Sequence, residues 1–133
     1  MTSKVTYLGD LRTSSIHIQS GSEILSDAPV DNNGKGEVFS PTDSVANALA
    51  TCMMTIMGIK ARDLNVDFKG STAAVTKIMN AEPRRIGAIE IVFEMVGVFV
   101  QKDKTILERA AMTCPVFLSL NTDIDKRIVF NWN

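Results

Sequence analysis

The sequence contains few of the residues from which metal and hydrolytic sites are built. It has two cysteines and a single histidine, His17, among 133 residues. Two cysteines without further ligands are too few for a zinc site of the usual kind. Because no partner acid for His17 can be identified, a cysteine–histidine hydrolase is also disfavoured. We therefore expect neither a metal ion nor a cofactor.

The chain also lacks a charge excess, long uncharged apolar runs and an apolar N-terminal segment. Its net charge is −1 and its pI about 5.8, with no basic patch, so nucleic acid is not an expected partner. Charges interrupt the longest apolar stretches, which argues against a membrane span. Residues 1–4 do not resemble a secretion signal. We expect a cytoplasmic protein, in which a disulfide is more often transient than structural.

The length and composition are typical of one globular domain. Hydrophobic residues make up 45% of the 133 residues and charged residues 22%, both near the average for soluble proteins. A chain of this size can bury one sizeable core. No repeat or linker interrupts it, so we predict a single domain over residues 1–133.

The first forty residues favour short β-strands separated by turns. Arg12 lies in a polar segment, Gly9 to Arg12, between two of these strands. A guanidinium there could stabilise a thiolate or bind an oxyanion, or it could be a solvated loop charge. The spacing alone favours the solvated charge.

A long helix is predicted to begin at Ser40 and to run to about Leu64. Ser40 suits the N-cap, Pro41 the first helical position, and Asp43 the third position, where a carboxylate holds free amides. The apolar face is predicted to consist of Val45, Leu49, Cys52, Met53, Ile56 and Ile59. Because the opposite side is also apolar, the helix should be central, or covered by a partner subunit.

The second half of the chain predicts a long hairpin, two further helices and a final strand. The hairpin joins residues 67–79 to residues 86–100, which alternate clearly between apolar and polar. A helix is predicted from an N-cap at Asp103 to Met112, a short helix from Pro115 to Leu120, and a strand over residues 127–132.

The two cysteines lie 62 residues apart in different contexts. Cys52 falls on the apolar stripe of the long helix, where a cysteine commonly packs as a small hydrophobe. Cys114 precedes Pro115 and is the expected N-cap of the short helix, where backbone amides lower a thiol pKa. The residues alone leave two interpretations open, which are a redox couple and a pair of core residues.

The segment from Ser40 to Met53, Ser-Pro-Thr-Asp-Ser-Val-Ala-Asn-Ala-Leu-Ala-Thr-Cys-Met, resembles the first signature of the OsmC/Ohr family of osmotically induced and organic hydroperoxide resistance proteins. The later Cys114-Pro115-Val116 resembles the second signature. The Gly9 to Arg12 loop and residues 27–36 are also similar to members of this family. The resemblance covers nearly the whole chain in order.

The resemblance implies an α+β fold in which curved antiparallel sheets wrap a long central helix within an intertwined homodimer. It also implies a thiol peroxidase that acts on organic hydroperoxides, with hydrogen peroxide as a second candidate substrate. By this analogy Cys52 attacks the peroxide and becomes a sulfenic acid, and Cys114 resolves it as a disulfide. A dithiol reductant, such as a lipoyl group, would restore both thiols.

One position departs from the family pattern. Peroxidase members carry a glutamate directly after the helix-opening proline, paired with an arginine that holds the thiolate. Here that position is Thr42, and the acid is Asp43, about 100° further round the helix. The resemblance assigns Arg12 and Asp43 to the catalytic site, although Asp43 could instead cap the helix. The alternative function is a non-catalytic dimer that binds a small hydrophobic ligand or senses thiol oxidation.

Overall fold

The structure is a computed structural model that describes residues 1–133, and it confirms the predicted α+β class. Where the sequence predicts one domain, the contacts divide the chain into two compact units, residues 1–45 and 46–133. The helix α1 (Pro41–Leu64) begins in the first unit and continues into the second. Its bounds match the prediction.

The first unit is built on an antiparallel sheet of three strands in chain order. The strands are β1 (Ser3–Gly9), β2 (Arg12–His17) and β3 (Glu23–Asp27). Asp10 and Leu11 join β1 to β2 with φ angles of 51° and 63°, which are the positive values that a tight two-residue hairpin turn requires. The strands β1 and β2 are therefore joined without a long loop.

The second unit contains a mixed sheet of three strands in the order β4-β5-β6. The strands β4 (Thr72–Ala81) and β5 (Arg84–Met95) form the predicted antiparallel hairpin. The last strand, β6 (Asp125–Trp132), pairs with β5 in parallel. The expectation of antiparallel sheets is corrected at this pair. Two helices, α2 (Gln101–Ala111) and α3 (Pro115–Ser119), connect β5 to β6, and a parallel pairing needs such a crossover.

Three sequence boundaries shift in the structure. The strand predicted over 67–79 begins only at Thr72. The predicted strand 86–100 ends at Met95. The helix α2 begins at Gln101 after an N-cap residue, Val100, that has no side-chain cap, so Asp103 lies inside the helix rather than at its N-cap. Element ends are where sequence patterns are least informative.

The core of the second unit lies between α1, α2 and one face of β5. The predicted alternation of β5 is confirmed, because every second residue from 89 to 95 is fully buried and these residues form its inner face. These are Ile89, Ile91, Phe93 and Met95. The ring of Phe93 stacks on that of Phe130 in β6, with 5.0 Å between their centroids. On the outer face, Arg127 Nη1 donates to Glu90 Oε1 at 2.7 Å, as expected for a polar sheet face.

The buried face of α1 differs from the predicted stripe by about one residue. The residues that face the core are Ala46, Leu49, Ala50, Met53, Met57 and Ala61. Val45 and Ile59, predicted to be inside, are 38% and 56% exposed. Small alanines let the helix approach the sheet closely. They add little to an apolar sequence pattern, so the pattern does not show that they face the core.

α1 is also long and apolar enough to cross a membrane, judged by length and composition alone, and the core helix of a soluble protein passes the same test. The charges along α1 therefore do not exclude it as a span, contrary to the expectation from the sequence. Its residues Leu49, Met53 and Met57 are fully buried in the core of the second unit.

We predict that Phe93→Ala lowers the free energy of unfolding by about 3–5 kcal/mol, because it leaves a cavity beside Phe130. Denaturant titration followed by circular dichroism measures the change. The control is Val129→Ala on a strand side chain that is 48% exposed, and its effect should stay within about 1 kcal/mol. Equal losses in the two variants would contradict the assignment of Phe93 to the core.

Candidate active site

The two thiols lie next to each other in the second unit. Cys52 is on α1, one position before the buried Met53, and its side chain is half-buried at the edge of the core. Cys114 is fully buried and both cysteines are free. Cys52 lies close enough to Cys114 to raise the pKa of its thiol. The structure thus brings together a thiol that solvent reaches and a thiol that it does not.

Cys114 occupies the N-cap of α3, as the Cys-Pro sequence predicts. Its Sγ accepts a hydrogen bond from the backbone N–H of Phe117 at 3.3 Å. The neighbouring thiol of Cys52 raises the pKa of Cys114, and the amide of Phe117 lowers it. The hydrogen bond from Phe117 holds the Cys114 side chain at the start of α3.

The pKa of the Cys114 thiol is raised, first because burial disfavours the thiolate and then because of the neighbouring Cys52. Amide hydrogen bonds from Phe117 and Val116 lower it by less than burial raises it. The prediction of a lowered pKa at this N-cap is wrong. Burial could not be inferred from the N-cap position alone. Cys114 is consequently a thiol rather than a thiolate at neutral pH.

Arg12 is the first residue of β2 rather than a solvated loop charge. Its Nε and Nη2 donate to the two carboxylate oxygens of Asp27 at 2.7 and 2.8 Å, and Nη2 also donates to Glu37 Oε2 at 2.8 Å. The side chain of Asp27 is only 1% exposed. A two-pronged contact with a buried carboxylate fixes the guanidinium in one orientation.

Asp27 was missed by the sequence reasoning. Its signal is the strand register, because Arg12 and Asp27 are directly opposite each other in the β2–β3 pair. Counting outwards from the midpoint of the β2–β3 connection, between Gln19 and Ser20, places Asp27 opposite Arg12. The Arg12 guanidinium and backbone hydrogen bonds from Glu37 and Val38 hold the pKa of Asp27 below its ordinary value.

Asp43 caps the start of α1. Its Oδ2 accepts from the backbone N–H of Ser40 at 3.0 Å, and its own N–H donates to Ser40 Oγ at 3.0 Å. This reciprocal arrangement is a capping box with aspartate in the place of glutamate. The capping role expected as an alternative for Asp43 is thus present, and its catalytic role stays a prediction.

Of the four residues predicted for the site, the structure shows contact between Cys52 and Cys114. Arg12 is engaged by Asp27 and Glu37, both within residues 1–45. No group of three or more His, Cys, Asp or Glu side chains is arranged to hold a metal ion. Chemically, the thiol pair suits a reaction in which sulfur is oxidised at one residue and a disulfide forms with its neighbour.

Comparison with known proteins finds one matching family and a set of similar structures. The family described as OsmC-like protein matches residues 34–128. A search among curated proteins finds no match. A protein of Psychrobacter arcticus 273-4, provisionally described as an osmotic stress induced and detoxification response protein, is 53% identical. The alignment covers 98% of this chain and 96% of that one, with a TM-score of 0.95.

More distant structures share the fold. An OsmC-like protein of Mycoplasma pneumoniae is 14% identical, with 98% of this chain and 94% of that chain covered and a TM-score of 0.81. A Vibrio cholerae protein, provisionally described as an organic hydroperoxide resistance protein with captopril bound in one of its active sites, is 17% identical. The alignment covers 98% and 92% of the two chains, with a TM-score of 0.71.

We predict that the stabilisation from Asp27 disappears in acid. Its pKa is lowered on folding, so its contribution is present above the unfolded pKa, ordinarily 3.8, and is lost as the pH falls through the lower folded value. Asp27→Asn should therefore be clearly less stable than the native protein at pH 7, and the difference should shrink below about pH 4. Thermal unfolding across pH 2–7 measures it.

The control for this prediction is Glu37→Gln, which removes the second acid beside Arg12 but alters a side chain that is 64% exposed. It should change stability little at any pH. If Asp27→Asn shows the same small, pH-independent effect, the buried ion pair does not stabilise the first unit.

Proposed function

The chain belongs to the OsmC-like protein family, and from this membership we propose that it is a cysteine-dependent peroxidase that reduces organic hydroperoxides. The observation that supports the proposal most directly is the pair of neighbouring thiols, of which one is half-buried and the other fully buried. A hydroperoxide can approach Cys52, and the sulfur needed to complete the cycle is already its neighbour.

Cys52 is the nucleophile in this proposal because it is the thiol that solvent reaches. Its thiolate attacks the distal oxygen of the hydroperoxide, the O–O bond breaks, and the alkoxide takes up a proton to leave as an alcohol. The sulfur is oxidised to a sulfenic acid while the peroxide is reduced. Cys114, buried and with a raised pKa, is less suited to make this first attack.

Cys114 then resolves the sulfenic acid. An S–S bond forms between the two sulfurs, the S–O bond of Cys52 breaks, and the hydroxyl leaves as water with the proton of Cys114. The sulfurs must approach to about 2 Å to form this bond. A dithiol restores both cysteines by thiol–disulfide exchange and is itself oxidised to a disulfide.

Arg12 and Asp43 have different roles in the proposal. The contacts of Arg12 use Nε and Nη2, so Nη1 keeps donors with which to stabilise an anion. Asp43 already holds the Ser40 amide. We therefore propose a direct role for Arg12 and a supporting role for Asp43, through the helix start.

We expect the native protein to consume cumene hydroperoxide repeatedly when dihydrolipoamide is supplied. Cys52→Ser should lose at least about 1000-fold in turnover, because the nucleophile is gone. Cys114→Ser should still react once, and mass spectrometry should show one added oxygen on Cys52. The matched control is Thr51→Ser, a small change on the same turn of α1, which should keep full activity. Unchanged turnover in Cys52→Ser would reject the proposed nucleophile.

A second candidate function follows from Thr42, which stands where peroxidase members carry a glutamate. Its hydroxyl lies 3.2 Å from that of Ser40, so it belongs to the helix cap. The alternative is a dimer that binds a small hydrophobic ligand or senses thiol oxidation. One equivalent of hydroperoxide followed by a count of free thiols separates the two. Loss of both thiols within seconds supports the enzyme, and slow loss supports the alternative.

We further propose that the protein is a homodimer. None of the apolar side chains in residues 1–45 is buried, and the buried residues there are Ser14, Asp27 and Ser40. A three-stranded sheet needs an apolar face packed against something to be stable. One face of this sheet aligns Val5 and Ile24 across Ser15, and these two apolar residues are 61% and 67% exposed. A second chain would cover such a surface.

The dimer is expected at micromolar concentration in analytical ultracentrifugation. Ile24→Lys should shift the population towards monomer, because it places a charge in the middle of the apolar face. The control is Val129→Lys, since that side chain is 48% exposed on the polar face of the other sheet, and it should remain dimeric. A native protein that sediments as a monomer would contradict the proposal.

A further inference from the structure

A cleft of about 700 Å³ opens between the C-terminal half of α1 and the loop that follows it, residues 66–71. This volume falls within the range of small-molecule sites. Neither cysteine lines the cleft, and all of its residues belong to the second unit. Its lining therefore includes neither thiol and no residue of the first unit.

The inner wall of the cleft is apolar. Met54 and Ile59 contribute from α1, and Val66 and Phe68 from the loop. Gly58 leaves space on the helix: a Cβ placed there would lie 3.8 Å from Cζ of Phe68, within ordinary contact distance. The Phe68 ring thus lies against the backbone of α1 at Gly58, with no larger side chain between them.

Two cations also line the cleft. Arg62 lies on α1 and Lys69 on the loop, and neither side chain has a hydrogen bond or ion pair. Asp67 is the one acid that lines the cleft, and its Oδ1 accepts from the backbone N–H of Lys69 at 2.9 Å. The net charge of the residues that line the cleft is therefore positive, and an anion would complement it.

The helix end decides which ligands fit. α1 ends at Leu64, and the carbonyl end of a helix carries partial negative charge that repels an anion. Arg62, in the last turn, offsets this charge, so an anion needs both cations. An inorganic anion would leave the apolar wall unfilled, and a neutral apolar molecule would leave the cations unmatched.

We propose that this cleft binds a small carboxylic acid with an apolar body. The carboxylate lies between Arg62 and Lys69, and the apolar part packs against Phe68 and the neighbouring apolar side chains of the wall. The site is independent of the peroxidase proposal, because it uses neither thiol.

Octanoate and 1-octanol, which differ in the charged group, test this site on the full chain by isothermal titration calorimetry. One octanoate molecule should bind per chain, and octanol should bind at least about tenfold more weakly. Arg62→Gln and Lys69→Gln should each weaken octanoate binding about fivefold, and added salt should weaken it too. Gly58→Leu, checked for folding by circular dichroism, should abolish binding of both.

Lys102→Gln is the matched control, because it removes an exposed cation on α2 outside the cleft, and its affinity for octanoate should be unchanged. Three results would overturn the proposal. They are no binding at millimolar octanoate, equal affinity for octanoate and octanol, and binding that survives Arg62→Gln and Lys69→Gln but is lost in Cys52→Ser. The last result would place the ligand at the thiols.

Discussion

The inner face of α1 packs on β5, and the position of Cys52 depends on this contact. Leu49, Met53 and Met57 on the helix and Ile91 and Phe93 on the strand are all fully buried in one cluster. Interiors of this density tolerate little movement. Once Met53 is fixed in the core, the preceding residue must lie about 100° round the helix, at the edge of the core. Cys52 is held at that edge without any polar contact needed to position it.

The same packing gives the two thiols unequal surroundings. Cys114 reaches the core from the N-cap of α3, where burial outweighs the amide hydrogen bonds and raises its pKa. Cys52 stays within reach of solvent. Two identical functional groups thus acquire different chemistry from their environments alone. This asymmetry supports the proposed roles of Cys52 as the attacking sulfur and Cys114 as the resolving sulfur.

Local patterns predicted the elements well. The cap of α1 at Ser40 and its end at Leu64 follow from nearest-neighbour chemistry, as does the alternation of β5. The resemblance to a family added the pairing of Cys52 with Cys114, which spacing alone left open. These features are encoded in residues close together in the chain, or in motifs that occur together.

What the sequence did not predict depends on contacts between distant segments. The pairing of Arg12 with Asp27 requires the register of β2 and β3. The pKa of Cys114 depends on how deeply α3 is buried, which its N-cap sequence does not show. The direction of β6 depends on where two intervening helices return the chain. Each of these features depends on how distant segments pack together, and such packing leaves no repeating pattern in the sequence.

The parallel pairing of β6 has a consequence for synthesis. The strand that covers one side of β5 comes last in the chain, after both crossover helices. Until the ribosome releases residues 125–132, the most apolar strand of the molecule exposes a row of unpaired backbone amides and carbonyls. Such an edge is a template for strands of other chains. Nascent polypeptides stalled near residue 120 would therefore be candidates for chaperone capture or co-aggregation.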